Sequence, residues 1–587
     1  MKAQNIIKHT NSFVATPSTF HSFQKIRQLL NRQEKLRWLG IVFFSILSSF
    51  FEILTASFVV VFAQILTHPL EGYKYLAKIK LGDGFSTGKV VFCFSVLVGI
   101  AYGIKNLIAI GEVFYQSFSI RKINYSFTNR LLNRYAQSDY CSYLSRNASE
   151  GYQAVVHDTQ EVFLTGSLSV AGFISEALIF MGLLGVIIYI NPSLALSAFL
   201  MGGGIGVLLI KWVFPLFYRL GQNLQNARLY SGQHILQFFH AYKDILLMGK
   251  KDAFIRSYQK HAQEKTKAQT LLLSLNALPR LIIEILFVVL FVTVIAFLAL
   301  EHEHPSEMFS ILGGYFYAGF RLMPGLNRII MHLNNIKAVL PSVERLHNDY
   351  YSFTQKENYI NCPEFEFKKS IIFKSVSYRH PSTQKNILTD VSFAIKKGEC
   401  VGIVGETGSG KSTLSDLILG LITPNDGAIS IDGKFPINTH QWHAKIGYVP
   451  QNIYLTDDSI QANIAFGEEN INEKKLNKAI DIAQLRLFID KLPQGVQTFV
   501  GERGIRLSGG ERQRIGVARA LYNDPEILIF DEATSALDYQ TEEKLMETIQ
   551  EISINRTVIM IAHRLATLKN CNYILEIKDG KVYASNN

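Results

Sequence analysis

Three short runs in the carboxyl-terminal part of the chain have the residue types needed for phosphate chemistry. The first is Gly405-Glu406-Thr407-Gly408-Ser409-Gly410-Lys411-Ser412, with Thr413 next. Its glycines let backbone N–H groups turn inward around phosphate oxygens. Lys411 would then reach the β and γ phosphates of a nucleoside triphosphate, and the Ser412 hydroxyl would ligate magnesium. The second run, Ile527-Leu528-Ile529-Phe530-Asp531-Glu532, is apolar and ends in two carboxylates. The pair divides the labour of hydrolysis: Asp531 holds the magnesium water shell, and Glu532 polarises the water that attacks the γ-phosphate. Between them lies Leu507-Ser508-Gly509-Gly510-Glu511, followed by Arg512-Gln513-Arg514.

These residues need a scaffold that brings them to one place. Val401 to Val404 reads as a short buried parallel strand, and the segment opening at Lys411 reads as a helix whose N-terminal dipole and free N–H groups favour an anion. The apolar run before Asp531 is a second buried strand, and ligands in open α/β sheets bind at the carboxyl edge of such strands. A glycine-rich turn that binds nothing, or an acidic pair that merely opens a solvated loop, would each explain one run. Neither explains the ordered set of 405–412, Gln451, 507–511, Asp531 with Glu532, Ser535-Ala536-Leu537-Asp538, and His563 after a third apolar strand.

In that order the motifs resemble the nucleotide-binding domain of ABC transporters, from about residue 365 onward. The resemblance implies ATP and Mg2+ as cofactors and roles for further residues. Gln451 corresponds to the glutamine that senses magnesium and the transmembrane part, and joins Ser412 and Asp531 around the metal. Asp538 corresponds to the D-loop aspartate, and His563 to the switch histidine that contacts the γ-phosphate, so Glu532, His563 and Gln451 form the catalytic set. Ser508, Gly509, Gly510 and Glu511 correspond to the signature that closes over ATP held by a second subunit, which implies a homodimer. The family stacks adenine on an aromatic upstream of the phosphate loop. This chain reads Val376-Ser377-Tyr378-Arg379-His380-Pro381, leaving His380 and Tyr378 as alternative stackers.

The rest of the chain reads as membrane. Of 587 residues, 48% are hydrophobic and 40 are Phe, beyond what a water-soluble chain of this length needs. Six stretches are long and apolar enough to span a bilayer, at 38–66, 90–113, 162–190, 194–214, 281–300 and 308–330. Arg and Lys crowd the segments after the second and fourth stretches, whereas Asn191-Pro192 and Glu301-His302-Glu303-His304-Pro305 carry none. By the positive-inside rule both long basic segments and the ATPase lie in the cytoplasm. The net charge of +11 is then topology, and its scattered bases exclude a nucleic-acid partner. The fold class expected is a membrane all-α region with an exporter-type ABC fold, fused to an α/β P-loop ATPase domain. Its parts are a tail and elbow at 1–35, a six-helix membrane domain at 36–345, a linker at 346–364 and the ATPase domain at 365–587. The long cytoplasmic segments read as helical extensions, with 151–161 and 232–248 as the parts expected to dock on the ATPase domain. Five cysteines lack metal-ligand spacing and are expected as free thiols.

Charged residues inside the apolar stretches are the witnesses to cargo, because each is costly in lipid and tends to face a cavity or a partner. They are Lys105, Glu284 just after Arg280, Arg321, and Arg328 two helical turns beyond it. Bases around one chamber favour an anionic substrate, and arginine suits phosphate. The runs Pro279-Arg280-Leu281-Ile282-Ile283-Glu284 and Arg321-Leu322-Met323-Pro324-Gly325-Leu326-Asn327-Arg328 resemble those of the PglK and Wzk type flippases for lipid-linked oligosaccharides. That resemblance implies a polyprenyl diphosphate oligosaccharide, moved from the cytoplasmic to the outer leaflet of a bacterial inner membrane for O-antigen or protein glycosylation. The alternative is a general lipid or lipid A flippase, or a multidrug exporter, of the same fold. Residues 70–80 are spaced for a short amphipathic helix that would meet membrane lipid.

Overall fold

The computed structural model describes residues 19–67, 86–144, 147–190, 214–301, 305–352, 362–381, 383–532, 542–544, 547, 556–562, 568–569 and 571–586. The chain divides into two units. One holds Met1–Ser138 and Leu144–Thr354, the other Asp139–Tyr143 and Gln355–Asn587.

The first unit is helical: α1 (Thr19–Leu29), α2 (Arg32–Thr67) and α3 (Thr87–Ala136) precede the short α4 (Tyr140–Leu144), whose first four residues belong to the other unit. α5 (Ala148–Tyr152) runs through two π-helical segments, Gln153–Asp158 and Glu161–Gly166, into α6 (Ser167–Ile190). α7 (Phe214–His240), α8 (Tyr242–Leu247), α9 (Lys251–Glu301) and α10 (Pro305–Ser352) follow. Among the described residues four segments are long and apolar enough to cross a membrane: Arg32–Val59, Thr87–Ala136, Ala148–Gly185 and Lys251–Ile285. The expected span at 194–214, apart from Phe214, and the amphipathic segment at 70–80 lie outside the described residues.

Close helix approach is bought with small residues, as membrane bundles require. A Cβ at Gly172 would overlap the His332 ring, and one at Gly221 would overlap the carbonyl of Ala338. Where α1, α3, the π-helical segments and α10 meet, Leu29, Phe127, Leu131, Phe163, Val343 and Leu346 form a buried core. Beside it Asp158, almost wholly buried, is ion-paired with Arg345 at 2.9 Å.

The second unit has two sheets. Four antiparallel strands run in the order β2 (Leu388–Lys396), β1 (Ser370–Tyr378), β4 (Asp426–Ile431), β5 (Phe435–Pro436). Six run in the order β10 (Lys581–Asn586), β9 (Tyr573–Lys578), β3 (Cys400–Gly405), β8 (Thr557–Ile561), β7 (Ile527–Asp531), β6 (Ile446–Val449). All but β10 are parallel to their neighbours. The apolar strands read from sequence are these parallel ones: β8 is buried along its whole length, and β7 as far as Asp531. Two helices matter for the site, α11 (Lys411–Leu419) after β3 and α12 (Gly509–Leu521) before β7. Trp442, fully buried against α11, donates its indole N–H to the Ile418 carbonyl at 2.9 Å.

The two segments expected to dock on the ATPase domain are helical. Residues 151–161 lie within the first unit, as helix and π-helix. Gly232 sits inside α7, and the chain breaks instead at Ala241, where φ is −100° and ψ 19°. The segment grouped with the ATPase unit is Asp139–Tyr143.

Candidate active site

Strand order does the assembling. β3, β8 and β7 are adjacent and parallel, with Ile403 opposite Ile561 and Ile561 opposite Asp531, so their carboxyl ends emerge together. β6 ends at Val449 beside Phe530, two residues before Gln451. The phosphate loop, Gln451, Asp531 and Glu532 thereby share one sheet edge. His563, two positions after β8 in the chain, and Asp538 lie outside the described residues.

The loop after β3 has the form of a phosphate cradle. A Cβ at Gly405 would stand 2.6 Å from the Ser409 hydroxyl and 2.7 Å from the Ile577 carbonyl, so only glycine fits. Gly410, at φ 108°, caps α11 in a backbone conformation that side chains rarely adopt. Lys411 is nearly buried and donates to the carbonyls of Gly405, 2.9 Å away, and Glu406, 3.1 Å away. The ammonium has three donors, and an anion over the loop would draw it inward. The Ser409 hydroxyl is buried with no hydrogen-bond partner. A buried orphan beside a helix N-terminus and a folded-in lysine is the donor set a polyphosphate would satisfy. Ser412, exposed in the first turn of α11, and Asp531 offer oxygens of the hard type magnesium takes.

The carboxylates differ in surroundings. Asp531 is half-buried and accepts a hydrogen bond from the Tyr448 hydroxyl at 3.2 Å; burial raises its pKa. Glu532 accepts from the Gln451 amide at 2.6 Å, and its own N–H donates to the Ile561 carbonyl at 2.9 Å. Its φ of 49° is left-handed, the kind of backbone strain that clusters at functional positions. Tyr448 and Asp416 were not singled out from sequence. Asp416, on α11, has its pKa pushed up to about 6, first by burial and then by the charge of Asp531. Its Ser-Asp position about one turn after the phosphate loop was the available signal.

The signature run is organised by a local device. Ser508 accepts from the Glu511 N–H at 3.3 Å while the Glu511 carboxylate accepts from the Ser508 N–H at 2.7 Å, a reciprocal capping box that opens α12. Glu511 is thus occupied in holding the turn, which leaves Gly509 and Gly510 in the first helical turn.

Of the two candidate stackers, Tyr378 is 5% exposed and its hydroxyl lies 3.6 Å from the Cys141 sulfur. His380 is partly exposed. Tyr140 and Cys141 pack against the core that contains Tyr378, and burial raises the pKa of all three groups.

In the helical unit the structure gives two of the predicted bases partners. Lys105 on α3 is ion-paired with Glu52 on α2 at 2.7 Å, and Arg328 on α10 with Glu176 on α6 at 2.5 and 3.1 Å. Neither carboxylate was flagged from sequence, although Glu52 and Glu176 lie inside the apolar stretches at 38–66 and 162–190. Arg280 is exposed on α9, as is Glu284. The Arg321 side chain lies outside the described residues.

Comparison with known proteins decides the family. The model for the ABC transporter transmembrane region matches residues 38–306, and the ABC transporter model matches residues 388–535. The chain is an exporter-type ABC transporter. An ATP-dependent lipid A-core flippase of Photorhabdus laumondii is 29% identical over 436 residues, 73% of this chain and 74% of that one. A protein of the same description from Pectobacterium atrosepticum is 26% identical over 439 residues. The leukotoxin translocation ATP-binding protein LktB of Mannheimia glucosida is 43% identical over 244 residues; there this ABC transporter spans only 34% of its relative. Among solved structures, a bacterial Atm1-family ABC exporter with ATP bound superposes with a TM-score of 0.75 at 23% identity, covering 94% of this chain and 95% of that one, which is a likeness of fold. The transporter therefore combines a membrane-spanning region with a cytoplasmic ATPase domain, and couples ATP hydrolysis to transport.

Proposed function

We propose that this transporter is a homodimeric lipid flippase of a bacterial inner membrane, moving a phosphate-bearing lipid outward. The observation that carries the reading is the similarity to lipid A-core flippases across both the membrane region and the ATPase domain. Within it, the finer substrate is a polyprenyl diphosphate oligosaccharide, supported by the arginine-bearing runs at 279–284 and 321–328 and their resemblance to lipid-linked oligosaccharide flippases.

In the ATP site, Lys411, the loop N–H groups and the start of α11 hold the phosphates, Ser412, Gln451 and Asp531 hold magnesium, and His380 stacks the base. Tyr378, buried under Cys141, supports the wall behind it. Magnesium, when bound, supplies positive charge to the β and γ phosphate oxygens. Glu532 takes the proton of the attacking water, aimed by Gln451 and by its own left-handed backbone. His563 and Asp538 complete the site, with Ser508, Gly509 and Gly510 closing it from the second subunit.

The paired state of the membrane bases shapes substrate entry. Arg328 keeps 39% of its side chain exposed although bound to Glu176, so a phosphate headgroup would compete with a carboxylate for it. Lys105 is more enclosed, at 14%, and serves Glu52. Arg321 and Arg280 are the remaining bases offered to the headgroup. The test is transport in proteoliposomes with a polyprenyl diphosphate oligosaccharide, with lipid A and a hydrophobic dye as competitors. Outward movement of phosphorylated lipid supports the reading; transport of the dye alone overturns it. Preference between the two lipids decides the finer substrate.

A further inference from the structure

The ATPase unit contains a thiol pair that the transport reading does not use. Cys400 opens β3, five residues before Gly405, and Cys571 lies two residues before the start of β9. Their sulfurs are 3.3 Å apart although 171 positions separate them in the chain. Neither is in a disulfide. Among the described residues no group of three or more His, Cys, Asp or Glu could hold a metal.

The backbone holds the two residues in position. The Cys400 N–H donates to the Asn572 side-chain oxygen at 2.7 Å, and the Asn572 N–H returns a bond to the Cys400 carbonyl at 2.7 Å. The Cys571 N–H donates to Leu568 at 2.9 Å. Parallel pairing of β3 with β9 begins at the next residue on each side, Val401 opposite Tyr573. A disulfide has an S–S length of about 2.05 Å, so the sulfurs need close by only about 1.3 Å, a movement within reach of side-chain rotation.

We propose that Cys400 and Cys571 form a reversible oxidation site, in which a peroxide oxidises Cys400 and Cys571 resolves the product to a disulfide within the ATPase domain. The Cys400 thiolate attacks one peroxide oxygen, giving Cys400 sulfenic acid and releasing hydroxide, or water once protonated. The Cys571 sulfur then displaces the sulfenic oxygen as water, with its thiol proton leaving on that water. Together two thiols and one hydrogen peroxide give one disulfide and two waters. The division of roles follows exposure: Cys400 is partly exposed and open to a small oxidant, while Cys571 is 5% exposed. It also follows acidity. The shared hydrogen bond lowers the Cys400 pKa and raises that of Cys571, which favours the thiolate on the residue that meets the oxidant.

The bond would tie β3, the strand that carries the phosphate loop, to the segment just before β9. It would close a loop of well over a hundred residues, which restrains the unfolded chain more than a short loop does. The site as a whole lies at the end of β3 away from the phosphates, so its oxidation leaves Lys411 and Ser412 untouched.

The test uses the full-length transporter in nanodiscs, with Cys93, Cys141 and Cys362 replaced by Ser. After brief treatment with hydrogen peroxide, peptide mass spectrometry should find the peptides of Cys400 and Cys571 linked, and a thiol reductant should restore both to alkylation. The unfolding temperature of the oxidised form should rise by several degrees. In Cys571→Ser, a sulfenic acid probe should label Cys400; in Cys400→Ser, Cys571 should remain reduced. Absence of the linked peptide, with both thiols still alkylated or each separately over-oxidised, overturns the proposal. So does a linked form that melts below the reduced one, and so does equally fast oxidation of Cys571 in Cys400→Ser.

Discussion

Replacing Glu176 by Gln removes the counter-charge from Arg328 while conserving shape. The guanidinium meets the carboxylate through Nε at 2.5 Å and Nη2 at 3.1 Å, the two-pronged geometry of a strong pair. Breaking a fully buried pair on one side costs about 3–5 kcal/mol, because a charge is left behind. Here the side chains are 39% and 14% exposed, so the charge can partly find solvent or lipid headgroups, and about 2 kcal/mol is the fitting magnitude. A double-mutant cycle with Arg328→Gln isolates the pair, since the double variant has neither charge. Measured as unfolding free energies in nanodiscs, Glu176→Gln should destabilise by about 2 kcal/mol and the double variant by less than the sum of the singles, with coupling of about 1–2 kcal/mol. Additive effects within about 0.3 kcal/mol would refute the pairing as an energetic unit. The same variant bears on transport: with its competitor gone, Arg328 should bind phosphorylated lipid more tightly, lowering KM while stability falls.

Three further outcomes follow from named contacts. Glu532→Gln should bind ATP with normal affinity yet hydrolyse it at least about 100-fold more slowly; hydrolysis within about twofold of the parent would remove Glu532 as the base. Asp416 has a folded pKa of about 6, above that of an unfolded aspartate, so its contribution is most favourable below about pH 4 and is lost as pH rises through 6. Asp416→Asn should therefore raise the unfolding temperature at pH 7.5 and flatten its fall between about pH 4 and 6; unchanged pH dependence would contradict the shift. On α7, Gly221→Ala should destabilise by about 1–3 kcal/mol, because its Cβ meets the Ala338 carbonyl, a backbone atom. Gly232→Ala, with nothing within 4 Å of its Cβ, should stabilise by up to about 1 kcal/mol through helix propensity. Thermal unfolding of the pair checks both signs.

The ATP site was legible because its chemistry is local. Spacing within 405–412 places Lys411 at a helix start, and an apolar strand ending in Asp531 and Glu532 must deliver them to a sheet edge. Sheet order was not legible, since nothing local says that β8 separates β3 from β7. The helix breaks in the long cytoplasmic segments were not legible for a related reason. Glycines at 151 and 232 suggested turns, but a helix tolerates glycine for about 1 kcal/mol when its packing continues. The actual break at Gln137-Ser138-Asp139 has neither Gly nor Pro, and only the Asp139 carbonyl accepting from Tyr143 marks the new helix. The partners of Lys105 and Arg328 come from other helices, 53 and 152 positions away, beyond any sequence window.

The central claim is that ATP hydrolysis here drives a phosphorylated lipid across the bilayer. It is tested most directly by reconstituting the transporter in liposomes with a fluorescent polyprenyl diphosphate oligosaccharide in one leaflet and following its loss from the ATP side. The account predicts ATP-dependent movement that stops in Glu532→Gln and is competed by phosphorylated lipids. Movement that continues in Glu532→Gln, or ATP-driven transport confined to an uncharged dye, would contradict it.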